Sequence, residues 1–401
     1  MQYLDEGFLP GNRLELLETG SKYFPALIEA MAAASEEIRL ETYIFEDDDA
    51  GREVATVMAN AARRGVRVHV LVDGFGSRGF MQKLGARLMA DGIEVLIYGP
   101  DVSPFTLRRQ RLRRLHRKLV TIDARIAFVG GINVIDDMHT PGQTPPRYDY
   151  AVRIEGPLLG PIHASMRHLW QLVSWASFRH RFATGQRHAA TTAVCGEMAG
   201  TFLTRDNLRH RRDIEEAYLQ AIAAARSEIV LANAYFLPGR RFRHALMAAA
   251  QRGIKVTVLL QGRAEYPLLH HATLALYGAL LSAGIQLYEY RRSFLHAKVA
   301  VIDGVWATVG SSNIDPFSLL LAREANIVVR NAAFAAGLLA SLRKAMELGA
   351  EEVKREAWVK KPLLARAANW LAYTMVRLMI GLSGYGTHAG AGAGKAGAWK
   401  K

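Results

Sequence analysis

Residues 116–133 read HRKLVTIDARIAFVGGIN, and residues 296–313 read HAKVAVIDGVWATVGSSN. His116 and His296, Lys118 and Lys298, Asp123 and Asp303, Gly130 and Gly310, and Asn133 and Asn313 are each separated by 180 residues. A lone His-x-Lys carries no information, but the whole pattern repeated in fixed register does. In a strand, residues i and i+2 face the same side, so His116 projects with Lys118 and His296 with Lys298. Asp303-Gly304 suits a tight hairpin turn into Val305–Val309. Gly130 and Gly310 are expected to bend the backbone so that Asn133 and Asn313 return to the same pocket.

Working outward, the repeat extends over both halves of the chain. A helical stretch around Tyr23–Ala34 runs into an apolar strand at Ile38–Phe45; another around Ile214–Ala225 runs into Ile229–Phe236. Amphipathic helices follow at Val54–Arg64 and Phe242–Arg252, stopped by Gly65 and Gly253. Strands at Val66–Val72 and Ile254–Leu260, helices at Met81–Ala90 and Leu268–Ser282, and strands at Glu94–Tyr98 and Gln286–Tyr290 complete the match. This alternation implies an α/β fold in two lobes, each with a mixed, largely parallel sheet flanked by helices. The expected lobes are 1–185 and 195–350, with a boundary in the Gly/Ala/Thr-rich stretch Ala183–Gly200.

The 401 residues carry 51 Lys and Arg against 37 Asp and Glu, a net charge of +14. That surplus attracts polyanions: nucleic acid, anionic lipid or phosphorylated substrate. The single cysteine, Cys195, excludes an intramolecular disulfide and a thiolate zinc site; a buried small residue is expected there. No acidic cluster or His/Cys spacing calls for a metal, and no cofactor is expected. The N-terminus has no basic stretch followed by a long apolar run. His139, His163 and His244 belong to no pattern and are expected at the surface.

An acidic residue follows each motif before a new apolar strand: Asp149, 33 residues after His116, and Glu324, 28 residues after His296. These are either ordinary surface carboxylates or partners of imidazole Nδ1. The second reading, preferred here, would fix the tautomer and leave Nε2 free. Tyr43, Phe45, Tyr235 and Phe236, at the ends of the first strands, are expected in the core.

The paired His-x-Lys-x4-Asp-x6-Gly-x2-Asn pattern resembles the phospholipase D superfamily, and over about residues 10–345 the chain is similar to its bacterial cardiolipin synthase branch. Leu40–Asp48, Ile122–Gly131, Ala232–Phe236 and Trp306–Pro316 carry that similarity. The resemblance implies two lobes related by a pseudo-twofold axis and sharing one active site. It implies a phosphatidyl transferase that joins two phosphatidylglycerol molecules into cardiolipin and releases glycerol through a covalent phosphatidyl-histidine. A hydrolase or nuclease using the same chemistry is the alternative; no nucleic-acid partner is expected. His116 is taken as nucleophile and His296 as acid and base, with symmetry leaving the reverse open. Lys118, Lys298, Asn133, Asn313 and Ser311 would hold the phosphate. Asp123 and Asp303 complete the motif, but a structural role is favoured for them: closing the hairpin away from the phosphate and pairing with basic groups.

Basic residues crowd Leu107–Lys118 (Arg108, Arg109, Arg111, Arg113, Arg114, Arg117), and Arg291 and Arg292 precede the second motif. These runs are expected to form a mouth attracting anionic head groups. Leu363–Leu382 is apolar but interrupted by Arg366 and Arg377, which suits an interfacial helix over 358–383 better than a span. Its alternative is a helix packed on the second lobe. The Gly/Ala-rich 387–401 is expected to be disordered. With the resemblance, these features place the protein peripherally on an anionic membrane, at the cytoplasmic face of the bacterial inner membrane.

Overall fold

The computed structural model describes residues 7–99, 113–177, 189–206, 210–315, 322–360 and 362–382, with side chains of the last stretch through 379. Arg108, Arg109, Arg111, the first part of the expected boundary and the tail after Thr387 lie outside these residues.

The first lobe runs β1 (Leu9–Glu18), α1 (Thr19–Ala32), β2 (Glu37–Thr42), α2 (Asp49–Arg63), β3 (Arg67–Asp73), α3 (Ala86–Ala90), β4 (Glu94–Tyr98), β5 (Arg114–Leu115), β6 (Lys118–Ile122), β7 (Ile126–Gly130), β8 (Arg147–Tyr148), β9 (Tyr150–Glu155) and α4 (Leu159–Ala176). The second runs β10 (Met198–Arg205), α5 (Asp213–Ala224), β11 (Glu228–Asn233), α6 (Arg240–Gln251), β12 (Lys255–Gln261), α7 (Pro267–Ser282), β13 (Gln286–Tyr290), β14 (Phe294–Leu295), β15 (Lys298–Ile302), β16 (Trp306–Gly310), β17 (Ala322–Arg330), α8 (Ala332–Gly349) and β18 (Ala350–Glu352). Then come α9 (Arg355–Val359) and α10 (Leu363–Leu382). The expected helix over Met81–Ala90 divides into a π-helical turn at Met81–Gly85 and the short α3.

The strand order is symmetric about a central antiparallel β1–β10 pair. Outward from β1 it runs β9-β7-β6-β2-β3-β4; outward from β10 it runs β17-β16-β15-β11-β12-β13. The two halves thus share one continuous mixed sheet. Only β2-β3-β4 and β11-β12-β13 are parallel among these long ladders. The parallel share is smaller than the strand–helix alternation suggests, because each motif forms an antiparallel hairpin with its successor. Separate apolar cores fill the helical faces of the lobes, built on residues such as Leu27, Val54 and Val70 in one and Ile222, Leu246 and Val258 in the other. A third cluster lies across the junction, joining Val152 and Ile162 to Val299, Ile327 and Leu338.

Both motif hairpins turn through left-handed residues: Asp123 and Ala124 in one, Asp303 and Gly304 in the other. Among the described residues, neither aspartate forms an ion pair with a basic side chain. The turn sets each carboxylate against the start of β2 or β11, where backbone N–H groups have no ladder partner. Asp123 accepts from Ser35, Glu36 and Glu37 at 2.8–2.9 Å; Asp303 accepts from Arg226, Ser227 and Glu228 at 2.8–3.1 Å. Those bonds hold both carboxyls below their usual range although burial opposes the charge. The partners of both carboxylates are backbone N–H groups and a serine hydroxyl.

Two further expectations change. His163 is buried, because α4 lies across the lobe-1 sheet and the ring bonds Glu37 at 2.9 Å. Cys195 is exposed, in the segment leading to β10. His139 and His244 are exposed as expected.

Asp303→Ala removes one acceptor from three backbone donors, and each charge-assisted bond is worth roughly 1.5–3 kcal/mol. Urea denaturation is expected to show a loss of about 2 kcal/mol or more, with Asp303→Asn intermediate. An unchanged midpoint would remove the structural role.

Candidate active site

Each motif strand is entered through a short pairing with the opposite lobe. Arg114 and Leu115 of β5 run parallel to Ala322 and Arg323 of β17; Phe294 and Leu295 of β14 run parallel to Arg147 and Tyr148 of β8. The pairing continues into the histidines. His116 N–H donates to the Arg323 carbonyl at 3.0 Å, and His296 N–H to the Tyr148 carbonyl at 2.8 Å. The residue after each acceptor is the carboxylate. Glu324 meets His116 Nδ1 with both oxygens at 3.0 Å, and Asp149 meets His296 Nδ1 at 2.7 Å. Both carboxylates are therefore imidazole partners and neither is a surface group. Chain order sets each behind the histidine of its own half, but the fold pairs them crosswise.

The lysines lie beneath. Lys298 is fully buried, 3.3 Å from Asp149 and 2.9 Å from His296 Nδ1. Lys118 donates to the His116 carbonyl at 2.5 Å and lies 5.5 Å from the centre of the Tyr43 ring. Burial, more than any neighbour, brings Lys118 down to about 7, and the Lys298 charge adds to the effect. Burial and then Lys298 bring His296 down to about 3; burial also lowers His116. Asp149 resists its burial because Lys298 and His296 face it, and it stays below the usual carboxylate range. Charges of each lobe act on the other: Lys298 on His116 and Lys118, and Asp149 on Lys298 and His296. The groups form one cluster at the lobe junction.

The remaining motif residues have specific tasks. A Cβ on Gly130 would lie 2.4 Å from the Tyr150 carbonyl, and one on Gly310 2.2 Å from Asn326. These glycines allow β7 and β16 to approach their neighbours, and neither has a left-handed φ. The next residue shows the same demand answered in two ways. A Cβ on Gly131 would meet both Asp149 oxygens at 2.4 Å, so the carboxylate fills that space. At the matching position, Ser311 donates to Glu324 at 2.5 Å, which commits its hydroxyl to the carboxylate. Asn133 and Asn313 are buried, and Asn133 Oδ1 accepts Ile44 N–H at 3.1 Å.

Phe45 and Phe236 are in the core as expected, but Tyr43 and Tyr235 are only half-buried. Tyr43 packs edge-on against His116, with ring centres 5.0 Å apart. Arg117 does not join a basic mouth: it points to the opposite face of its strand and forms a buried two-pronged pair with Glu41 at 2.5 and 2.9 Å. The exposed Arg291 pairs with Glu289 and Glu351. Residues with no repeat signal also border the site. Asp73 accepts Leu115 N–H at 2.7 Å, Gln261 accepts Leu295 N–H at 3.1 Å, and buried Arg147 lies near Asp149. Their only signal was position at the ends of β3 and β12 and next to Asp149.

Asp149→Ala leaves Lys298 buried without its carboxylate, a change that costs roughly 3–5 kcal/mol. Adding Lys298→Met should recover much of that loss in denaturant unfolding, and failure to recover any would separate the two residues. A second outcome concerns acid. His296 takes up a proton near 6.5 when unfolded but only near 3 when folded, so the unfolded chain binds more protons in between. Stability is expected to fall as pH drops from about 6.5 toward about 3, and thermal unfolding of His296→Gln should show a shallower decline.

The family model described as "Cardiolipin synthase, PLD-like domain" matches residues 27–157 and again 218–346. Cardiolipin synthase B of Escherichia coli strain K12 is 38% identical over 375 residues, covering 94% of this chain and 90% of that protein. A probable cardiolipin synthase of Bacillus subtilis is 30% identical, over 80% of this chain and 63% of its own length. Among solved structures, a phosphatidylserine synthase of Haemophilus influenzae shares the fold at 13% identity, with a TM-score of 0.71 and 95% and 97% of the two chains aligned. Two copies of the motif, a crosswise histidine–carboxylate geometry and full-length similarity agree: the chain belongs to the cardiolipin synthase family of the phospholipase D superfamily, and is a phosphatidyltransferase.

Proposed function

We propose that the protein joins two phosphatidylglycerol molecules into cardiolipin, with glycerol released and a phosphatidyl group carried on His116. The crosswise Nδ1 pairing carries this reading. A carboxylate on Nδ1 sets the tautomer and directs Nε2 outward, and both rings sit in one cluster. His116 is the more accessible ring, with 17% of its side-chain surface exposed against 11% for His296, and its carboxylate has a neutral serine hydroxyl as its other partner. Asp149, by contrast, is shared between His296 and Lys298.

In the first step, His116 Nε2 attacks the donor phosphorus. A P–N bond forms and the P–O bond to the glycerol head group breaks, while His296 gives its proton to the departing oxygen. In the second, His296 takes the proton of a hydroxyl on the next phosphatidylglycerol. That oxygen attacks phosphorus, the P–N bond breaks, and cardiolipin leaves. Burial and then the Lys298 charge depress His296; the phosphodiester's negative charge opposes the lysine and favours the protonated ring that the first step needs. Lys118 and Lys298 hold the non-bridging oxygens, and Asn133 offers its NH2 because its oxygen already holds Ile44. Donors preset where charge grows are worth roughly 2.7–4 kcal/mol each in comparable deletions. Ser311 acts through Glu324.

No helix among the described residues is long and apolar enough to cross a membrane. α10 instead docks one seam on the second lobe and turns Leu364, Leu371 and Leu378 to solvent. Such a face suits an interfacial helix on an anionic bilayer, at the cytoplasmic face of the inner membrane.

Labelled phosphatidylglycerol should yield cardiolipin and glycerol with the purified protein; phosphatidic acid alone would overturn the transferase reading. His116→Ala should cost at least about 10³-fold. A phosphatidyl-nitrophenol donor separates the histidines, because nitrophenolate leaves without a proton. His296→Ala should give a single-turnover burst and an acid-labile adduct on His116, while His116→Ala gives neither. The opposite pattern would exchange their roles.

A further inference from the structure

α10 rests on α7 along a narrow seam: Val376 is fully buried, and Asn369 Oδ1 bonds His271 Nδ1 at 2.9 Å. At 3.6 residues per turn, Leu364, Leu371, Met375 and Leu378 fall on the opposite side. Leu371 is 71% and Leu364 85% exposed. Arg366 and Arg377 lie on one flank, between the docked seam and the open apolar face. On that flank the helices do not close. A cavity of about 330 Å³ opens between α7, α9 and α10, lined by Leu274, Gly278, Trp358 and Trp370, with Arg355 and Arg366 at its border.

The pieces specify an occupant. The volume falls at the lower end of ligand sites, which are roughly 300–1,000 Å³. Its wall combines aliphatic and aromatic side chains with the polar Ser282 and Asn369. Trp358 is buried and packs on Tyr277 with ring centres 5.1 Å apart, which gives the cavity a fixed floor. Among the described residues no carboxylate forms an ion pair with the exposed side chains of Arg355 or Arg366. A slot with apolar side chains along one part of its wall and two guanidiniums along another fits a chain with an anionic head, since Arg matches phosphate oxygens in forked geometry. With the open apolar face of α10 in a bilayer, Arg366 lies at the level of the head groups and the slot opens beside them.

We infer that this cavity is a binding site for one anionic phospholipid, distinct from the histidine centre, with an acyl chain between α7 and α10 and the phosphate on Arg355 and Arg366. It fixes the second lobe to an anionic surface at one defined lipid. The site stands on residues that take no part in the chemistry, so its test does not depend on turnover.

The test uses the full chain with phosphatidylcholine vesicles carrying a small fraction of phosphatidylglycerol whose acyl chain bears a diazirine, followed by peptide mapping of the cross-links. Labelling is expected within Leu274–Ser282 and at Trp358. A Cβ at Gly278 would meet Trp358 at an ordinary 3.4 Å, so Gly278→Leu should fold and fill the slot, cutting that labelling at least tenfold. The surface double variant Arg355→Gln/Arg366→Gln should cut it similarly with the wall intact, and a diazirine phosphatidylcholine should label the slot at least tenfold less. Transfer on a soluble short-chain donor should stay within twofold in all variants. Labels confined to Leu371, Met375 and Leu378 would mean contact with the bilayer alone and would overturn the site. Equal slot labelling by both lipids, or undiminished labelling in Gly278→Leu, would overturn it as well.

Discussion

The structure depends on two short parallel pairings across the lobe boundary, β5 with β17 and β14 with β8. Each is only two residues long, yet each fixes three things at once. It sets the entry of a motif strand, pins the histidine backbone N–H to a carbonyl of the other half, and delivers the next residue's carboxylate to that histidine's Nδ1. The central β1–β10 pair and the apolar cluster across the junction hold the lobes at the distance these contacts require. Packing supplies the association, and the strand register supplies the precision.

Symmetry in the front of the site coexists with asymmetry behind it. Between His116 and Lys118 the chain places Arg117, which pairs with Glu41 and donates to Ser165 of α4 at 2.8 Å. Between His296 and Lys298 it places Ala297, buried in an apolar layer with Ala232, the counterpart of Glu41. The strand end that holds the motif entry is Asp73 in one half and Gln261 in the other. The Nδ1 carboxylates differ too: Glu324 is shared between an imidazole and the Ser311 hydroxyl, while Asp149 is divided between an imidazole and a lysine. Two histidines with identical local sequence logic therefore sit in unlike fields, as two roles in one reaction demand.

Much of this was legible in the sequence, for definable reasons. Strand and helix order followed from apolar periodicity, and the π-helical turn at Met81–Gly85 was the main local departure. The histidines, lysines and aspartates emerged because duplication presents each residue twice, so chance agreement is improbable. Asp149 and Glu324 were identifiable as imidazole partners by type and position. Their crosswise assignment was not, because spacing along the chain cannot distinguish a partner in the same half from its symmetry mate. Arg117 was misread because a run of charge looks the same whether it faces solvent or alternates across a strand; strand alternation, applied strictly, would have sent it to the back. Ser311 looked like a phosphate donor until Glu324 was seen to occupy its hydroxyl. Gly131 shows that a missing side chain can be what a site needs, since Asp149 fills the room.

The crosswise geometry also explains why the two copies share one chain. Either half alone carries a histidine and a lysine without the carboxylate that orients the ring, and a carboxylate without its ring. Separating the lobes would leave four ionisable groups of the site half-paired, and a buried charge that loses its partner is far costlier than the pair was favourable. Opening at this junction is therefore opposed by electrostatics as well as by apolar burial. Substrates must reach the phosphate site along its edge and not by parting the lobes. A catalytic centre held rigid at a sealed seam, with an apolar helix outside it, leaves lipid supply to the surface and chemistry to the seam. In the proposed reaction that division would set the phosphoryl-histidine bond at the buried junction, where exclusion of water favours transfer over hydrolysis.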